Sequence, residues 1–250
     1  MLKIDKNKFR NLLNFWIPLC GVCLLDIPTF SQNQKFFATK RNDIHNIQKS
    51  IISTAEYLMD EWEISYVYGG NKLENPALCK KCSLCLAKKK SMVSRKSRHF
   101  CPICSACSLD CTHFIQLVYR NAGLNMRYID TRTMLKSSEK SLLKKFLLVT
   151  IADLQDSIPG DILVYTGHAV ILERIEDGGY GDIIHVTAGK DIKQPGQGVQ
   201  KERKVYLSRF RGHLKKILRH KFVHETVSKV KVSSSQQGAP PRLRKVIPNF

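Results

Sequence analysis

Two cysteine triplets with the same spacing constrain this chain more than any other feature of its sequence. Each triplet has the form C-x-x-C-x-x-C, and fifteen residues, mostly basic or small, separate them. Two residues between cysteines allow both sulfurs to face one tetrahedral metal ion, so this spacing is typical of a thiolate zinc site. We therefore predict a structural zinc in this segment. Its candidate ligands are Cys79, Cys82, Cys85, Cys101, Cys104 and Cys107.

Other chemistries fit the same residues, and the sequence does not decide among them. One zinc ion needs only four of the six thiolates, and His99 is a substitute ligand. Six cysteines also pair evenly as disulfides, which form in exported chains. With Cys111, the second triplet matches the C-x2-C-x2-C-x3-C run of iron–sulfur proteins. Against that match, Thr112 stands where those proteins usually carry proline, and the first triplet lacks a fourth cysteine at that spacing.

Cys111 itself opens an apolar run that has a helical rhythm. This run extends from Phe114 to Ala122 and stops at Gly123, a natural residue just past a helix end. Cys111 would then lie at a helix N-terminus, where unpaired N–H groups and the helix dipole favour a thiolate. Such positions lower a cysteine pKa to about 3.5–7.5. This predicts a nucleophile, and the alternative is one more thiol of the cysteine cluster.

The remaining pattern predicts an α+β domain, with helices first and an antiparallel sheet second. Apolar residues at helical spacing indicate two further helices. Strand-like segments follow in the second half of the chain, and two of them contain His168 and His185, which could supply the base that a cysteine nucleophile needs. The predicted helices are Ile44–Trp62 and Met134–Leu148, and the predicted strands are Ile162–Tyr165, His168–Ile175, Asp182–Thr187 and Val205–Phe210.

The two ends of the chain differ from its centre. Residues 1–31 combine a basic start, an apolar run from Phe15 to Leu25 and small residues before Gln32, which predicts an export signal. The net charge of +20 comes mostly from the segments 79–100 and 211–250. We expect 211–250 to be a basic, partly disordered tail. Both segments are expected to bind anionic envelope polymer through salt-sensitive contacts, with no nucleic acid expected as partner.

Five short motifs occur in an order that resembles the NlpC family of cell-wall cysteine peptidases, a branch of the papain-like fold. The resemblance extends over roughly Ile44 to Phe210. His185 falls where that family carries its third polar residue. The other matching segments are Tyr66-Val67-Tyr68-Gly69-Gly70, Asp110-Cys111-Thr112, Pro159-Gly160-Asp161-Ile162 and His168-Ala169-Val170, which look like Y-V-W-G-G, D-C-S, P-G-D-L and H-V-G.

The resemblance implies a role for each matching residue. Cys111 would be the nucleophile, with its backbone N–H as an oxyanion donor, and His168 would move the proton. His185 would orient His168, and Tyr66 would hold substrate or oxyanion. Asp110 is expected to fix the turn or a substrate amine, and Tyr68 is expected in the core. The implied activity is hydrolysis of an amide bond in the peptide stems of peptidoglycan, next to γ-D-glutamate, without a cofactor for catalysis.

Departures from the family pattern leave a second interpretation open. Thirty-nine residues, 71–109, separate the glycine pair from Asp110, where the family usually has only a few. Ser65 replaces the family's usual proline, and Thr112 replaces its serine. We therefore predict a peptidase domain over 32–210 with a cysteine-rich insertion at 71–109 on the rim of the substrate groove. The alternative is a non-catalytic metal-binding module whose basic segments bind envelope polymer or nucleic acid.

Overall fold

A computed structural model describes residues 44–89, 101–187 and 198–236, which form a mixed α+β fold with an antiparallel sheet. The predicted export signal lies outside these residues. Within the described ranges, every helix is too short or too polar to cross a membrane.

The first helix, α1 (Ile44–Asp60), follows the predicted segment closely. Its apolar positions Ile47, Ile51, Ala55 and Leu58 are buried in the main core, since residues three and four apart share one face of a helix. This face packs on the helix that begins at Cys111, α3 (Cys111–Asn121). The apolar pattern therefore predicted both helices and the side that each one buries.

A six-stranded sheet supports these helices, and every pair of neighbouring strands in it is antiparallel. The strands are β3 (Leu148–Ile151), β4 (Ile162–Tyr165), β5 (His168–Ile175), β6 (Tyr180–Thr187), β7 (Gly198–Tyr206) and β8 (Lys216–His220). Their order in the sheet is β3-β8-β4-β5-β6-β7. Neighbouring side chains along a strand point to opposite faces. In β4, for example, Ile162 and Val164 enter the core under the helices, whereas Leu163 and Tyr165 enter a second core on the opposite face.

The folded region extends past Phe210, where the sequence analysis ends the domain. Strand β8 lies between β3 and β4, and the helix α6 (Lys221–Gln236) follows it. Arg219 of β8 is buried and forms a paired contact with the Asp161 carboxylate at 2.8 Å. The sequence did not reveal this strand, because its basic residues look like those of a solvent-exposed tail. One of them, Arg219, is in fact buried.

Two other elements differ from their predicted form. The single helix predicted over Met134–Leu148 is instead α4 (Thr131–Lys136), the short α5 (Glu139–Ser141) and a π-helical turn, Leu142–Phe146. Ser137 adopts an extended conformation and Ser138 caps α5, which interrupts the helix. The strand predicted over Val205–Phe210 begins earlier, at Gly198, and residues Leu207–Arg209 form a 3₁₀ turn.

The cysteine-rich insertion folds as a small unit beside the main core. Strand β1 (Asn71–Leu73) pairs with β2 (Cys107–Leu109), and the helix α2 (Pro76–Lys89) packs against the chain that leads into β2. Three nested disulfides join these parts: Cys79–Cys107, Cys82–Cys104 and Cys85–Cys101. This is the disulfide alternative of the sequence analysis, and it indicates an oxidising environment.

The predicted zinc ligands are the same six cysteines. Over the residues that the structure describes, no group of three or more His, Cys, Asp or Glu side chains has an arrangement that could hold a metal ion. A sulfur in a disulfide is not a thiolate, so disulfides and zinc are exclusive states of these cysteines. Zinc stays a prediction that metal analysis of the pure protein can test.

Candidate active site

Cys111 is the first residue of α3, as the sequence pattern predicted. Asp110 caps this helix: its carboxylate accepts hydrogen bonds from the N–H groups of Thr112 at 3.1 Å and His113 at 2.8 Å. Asp110 therefore fixes the turn before the nucleophile candidate. The backbone of this turn is held in place from the other side as well, because the Asp110 N–H donates to the Gly70 carbonyl oxygen at 3.0 Å.

Gly70 is needed for that close approach. A Cβ on Gly70 would come within 2.8 Å of the Ser108 backbone, so a larger residue there would push β2 away. Tyr66, at the start of the same motif, forms a bridge to Leu109 at the end of β2. The motif and the nucleophile turn therefore form one packed unit, although the insertion separates them in sequence.

The Cys111 thiol is free but nearly buried, with 7% of the residue exposed. Burial, together with the negative charge of Asp110, raises the pKa of Cys111 to about 12. The N–H groups of Ala169, Cys111 and Thr112 act on the sulfur and lower this pKa, but by less. The sequence predicted a thiolate at this helix N-terminus, and that prediction is wrong for the protein without substrate. Loss of solvation raises the pKa of the thiol by more than the N–H groups of the helix start lower it.

The two histidines of the sequence prediction lie in contact on neighbouring strands. His168 begins β5 and His185 lies in β6, and His168 Nε2 is 2.7 Å from His185 Nδ1. The residue after His168 is Ala169, whose N–H acts on the Cys111 thiol. The start of the Cys111 helix therefore lies against the start of β5, next to the residue that precedes Ala169, His168.

Glu202 extends this chain of side chains by one member. It lies in β7, and its Oε1 is 3.2 Å from His185 Nε2. Glu202 was not among the predicted site residues, because it belongs to the polar run Gln200–Lys204, which carries no motif and precedes the strand predicted over Val205–Phe210.

The contacts of Glu202 determine which ring nitrogens carry protons. A carboxylate accepts hydrogen bonds, so His185 donates from Nε2 and its Nδ1 has a lone pair. That lone pair accepts from His168 Nε2–H, which leaves the lone pair of neutral His168 on Nδ1. The chain Glu202–His185–His168 therefore prepares His168 Nδ1 to take a proton, as a general base must.

Burial keeps both imidazoles neutral. Burial, helped by the charges of His185 and Arg211, lowers the pKa of His168 to about 3. It also lowers the pKa of His185, although the Glu202 carboxylate works in the opposite direction. The resting state is thus a neutral thiol beside a neutral histidine pair, and a proton has to move when the thiol attacks.

Two tyrosines, Tyr66 and Tyr128, lie close enough to Cys111 for its charge to act on their hydroxyls. Tyr66 is half-buried, and burial with the charges of Cys111 and Asp110 raises its pKa well above the ordinary value, so its hydroxyl stays protonated and can donate. Tyr128, which sequence analysis did not identify, stacks on His113 at 4.0 Å and is 40% exposed. Tyr68, expected in the core, is 50% exposed, so that expectation is wrong.

Comparisons of the sequence with family models and with curated proteins find no match. The chemistry of the site must therefore be judged from its geometry. A thiol at a helix start, a neutral imidazole pair and a carboxylate behind it can activate sulfur for attack on a carbonyl. The tyrosine hydroxyls and the N–H groups of the helix start can donate to a developing negative charge.

Proposed function

We propose that this protein is an exported cysteine peptidase with a papain-like NlpC fold, and that it hydrolyses an amide bond in the peptide stems of peptidoglycan, next to γ-D-glutamate. One observation carries the proposal: Cys111 begins a helix beside a hydrogen-bonded chain of His168, His185 and Glu202. The motif order in the sequence supplies the substrate class. The three disulfides support a location in the periplasm or cell envelope.

Acylation begins with transfer of the Cys111 thiol proton to His168 Nδ1. The sulfur attacks the amide carbonyl carbon, and the carbonyl oxygen becomes an oxyanion that accepts from Tyr66 and from the Cys111 N–H. The charged His168 still donates from Nε2 to His185. Its Nδ1 proton then passes to the leaving amine, the carbon–nitrogen bond breaks and a thioester remains on Cys111.

Deacylation repeats these roles with water as nucleophile. His168 takes a proton from water, and the oxygen attacks the thioester carbon. The carbon–sulfur bond breaks, the proton returns to sulfur, and the product leaves with a new carboxyl group. These steps need no cofactor, and Glu202 matters because it holds the histidine pair in the tautomer that accepts the proton.

The test is digestion of purified peptidoglycan by the full chain beside its Cys111→Ala variant, with the released fragments identified by mass spectrometry. We expect the variant to lose activity by about 10³-fold or more while its circular dichroism spectrum stays unchanged. An exposed-histidine variant, His213→Ala, is the control and should digest normally. Full activity of Cys111→Ala would overturn the proposal. Binding without cleavage by both proteins would favour the binding-module alternative.

A further inference from the structure

Arg211 lies beside the histidine pair, at the position where the sequence analysis begins the tail. Its guanidinium carbon is 5.7 Å from the centre of the Phe210 ring. That ring packs in turn on both imidazoles, with its centre 5.4 Å from the His185 ring and 6.4 Å from the His168 ring. Phe210 therefore holds the guanidinium next to the residues that would carry out the proton transfer.

Two donors of this guanidinium are buried without a hydrogen-bond partner. In the described part of the chain, no group accepts from Nε or Nη2 of Arg211. The residue as a whole is partly exposed, but burying these two donors without an acceptor costs free energy. The backbone of Arg211 also has a φ of +48°, in the left-handed region that is unfavourable for a residue with a side chain. A costly placement of this kind is typical of a residue that waits for a ligand.

The same protein contains an arginine whose corresponding donors have a partner. Arg219 Nε and Nη2 donate to the two carboxylate oxygens of Asp161, each at 2.8 Å. These two nitrogens form one edge of the planar guanidinium, and their spacing matches that of a carboxylate. On Arg211 the same edge is the buried one without a partner, so its geometry suits a carboxylate.

The charge of Arg211 also acts on the site. It adds to the burial that lowers the pKa of His168 and His185, and it opposes the burial that raises the pKa of Tyr66. An anion on Arg211 would offset this charge. Protonation of His168 during the reaction would then become easier, so occupancy would favour turnover as well as binding.

We infer that Arg211 binds a carboxylate of the substrate that lies close to the scissile amide. This inference rests on the proposed function for its natural substrate. In a γ-D-glutamyl amide, the side-chain carboxyl forms the bond and the α-carboxylate stays free. Three carbon atoms separate that carboxylate from the carbonyl that Cys111 would attack. Arg211 would therefore distinguish the γ-linked acid from its α-carboxamide form.

The first test examines the anion site without any hydrolysis. Iodoacetate and iodoacetamide alkylate a thiol with loss of iodide and differ by one negative charge. The alkylation rate of Cys111 by each reagent is measured in the full chain, by mass spectrometry of the peptide that contains Cys111. The ratio of the iodoacetate rate to the iodoacetamide rate is then divided by the same ratio for a free thiol in solution. We expect a ratio above one, which Arg211→Gln lowers at least about tenfold and Arg211→Lys lowers less.

The matched control is Arg209→Gln, an exposed arginine two residues away, which should leave the ratio unchanged. A wild-type ratio of one or below overturns the inference, and it does so even if the variants fail to fold. An equal effect of Arg209→Gln and Arg211→Gln also overturns it, because general surface charge would then be sufficient.

The second test compares hydrolysis of a γ-D-glutamyl peptide with that of its α-carboxamide. Wild type should prefer the acid, and Arg211→Gln should remove this preference, so that the ratio of the two cleavage rates falls to about one. Equal cleavage of both peptides by wild type overturns the role of Arg211 and leaves the proposed function intact. If neither peptide is cut but the alkylation ratio behaves as expected, the proposed function fails and the carboxylate site stands.

Discussion

The two halves of the candidate site are held in place by different forces. One half lies in the sheet, on neighbouring strands that carry His168, His185 and Glu202. Each face of this sheet packs against a core of buried, mostly aliphatic residues. The turn that carries Cys111 follows β2, which belongs to the insertion. That insertion adds a small core around Val67 of the preceding loop and Leu86, three disulfides, and a few residues such as Leu109 to the main core. Packing alone places the candidate base, whereas covalent bonds help to place the candidate nucleophile.

This difference shows how the long insertion at 71–109 can lie next to Cys111 without moving it out of position. A unit of this size buries too little apolar surface to be stable alone. Cross-links remove much of the freedom that its unfolded chain would have. The two halves can therefore be perturbed separately, and the predictions below use that property.

The largest effect should come from removing the disulfide nearest the nucleophile. Cys107 begins β2, four residues before Cys111. We expect the double variant Cys79→Ser, Cys107→Ser to lose about 2–5 kcal/mol of unfolding free energy. Because β2 leads directly into the Asp110 turn, hydrolysis should fall as well. Urea unfolding and peptidoglycan digestion measure the two effects.

The matched control removes the disulfide farthest from the site, in Cys85→Ser, Cys101→Ser. This variant should also lose stability but should digest peptidoglycan nearly as well as wild type under conditions where it is folded. Equal loss of activity in both double variants would show that the insertion acts as a whole, with no special role for the bond beside β2.

An intermediate effect should come from the sheet half of the site. Glu202→Leu removes the acceptor that sets the histidine tautomers, so His168 would carry its lone pair on Nδ1 only part of the time. We expect kcat to fall about 10–100-fold with little change in KM. Glu202→Gln keeps an acceptor oxygen and should retain more activity. Identical kcat values for Glu202→Leu and wild type would remove Glu202 from the mechanism.

The smallest effect should appear in the pH dependence of stability. Burial lowers the pKa of His168 to about 3, whereas a histidine in an unfolded chain titrates near 6.5. Between these values the unfolded state binds the extra proton, so stability falls as pH falls below about 6.5. We expect a loss of about 1–2 kcal/mol between pH 7 and pH 5, measured by urea unfolding.

His168→Gln should reduce this slope without abolishing it, because the pKa of His185 and that of His220 are also lowered by burial. An unchanged slope in the variant would mean that His168 is not buried in its neutral form. The histidine half of the site would then be more open to water than the thiol half.

Sequence pattern alone predicted the parts of this molecule that depend on local periodicity. Strands β4 and β5 and the later part of β6 follow from short apolar runs between turns, and α1 from its spacing of apolar residues. Cys111 was recognisable because it precedes such a helix. The pairing of His168 with His185 followed from the family resemblance, and the sheet brings the two rings into contact.

Other features depend on tertiary structure and left no local signal. Glu202 is one charged residue in a polar strand, and only strand pairing brings it to His185. The sign of the Cys111 pKa shift depends on burial, which a helix position does not determine. Cysteines three apart lie along one side of a helix such as α2, so the same spacing suits zinc and disulfides. Strand β8 was concealed because its basic residues matched those of the expected tail.

The position of β8 has a consequence for the timing of folding. A chain is made from its N-terminus, so β3 and β4 emerge well before the strand that lies between them. Until β8 arrives, both present unpaired backbone edges, and the carboxylate of Asp161 lacks Arg219. Cys111, His168 and His185 have already been synthesised by then, but the sheet that holds the two histidines is not yet complete. The order of synthesis therefore delays completion of the candidate site until β8 has emerged.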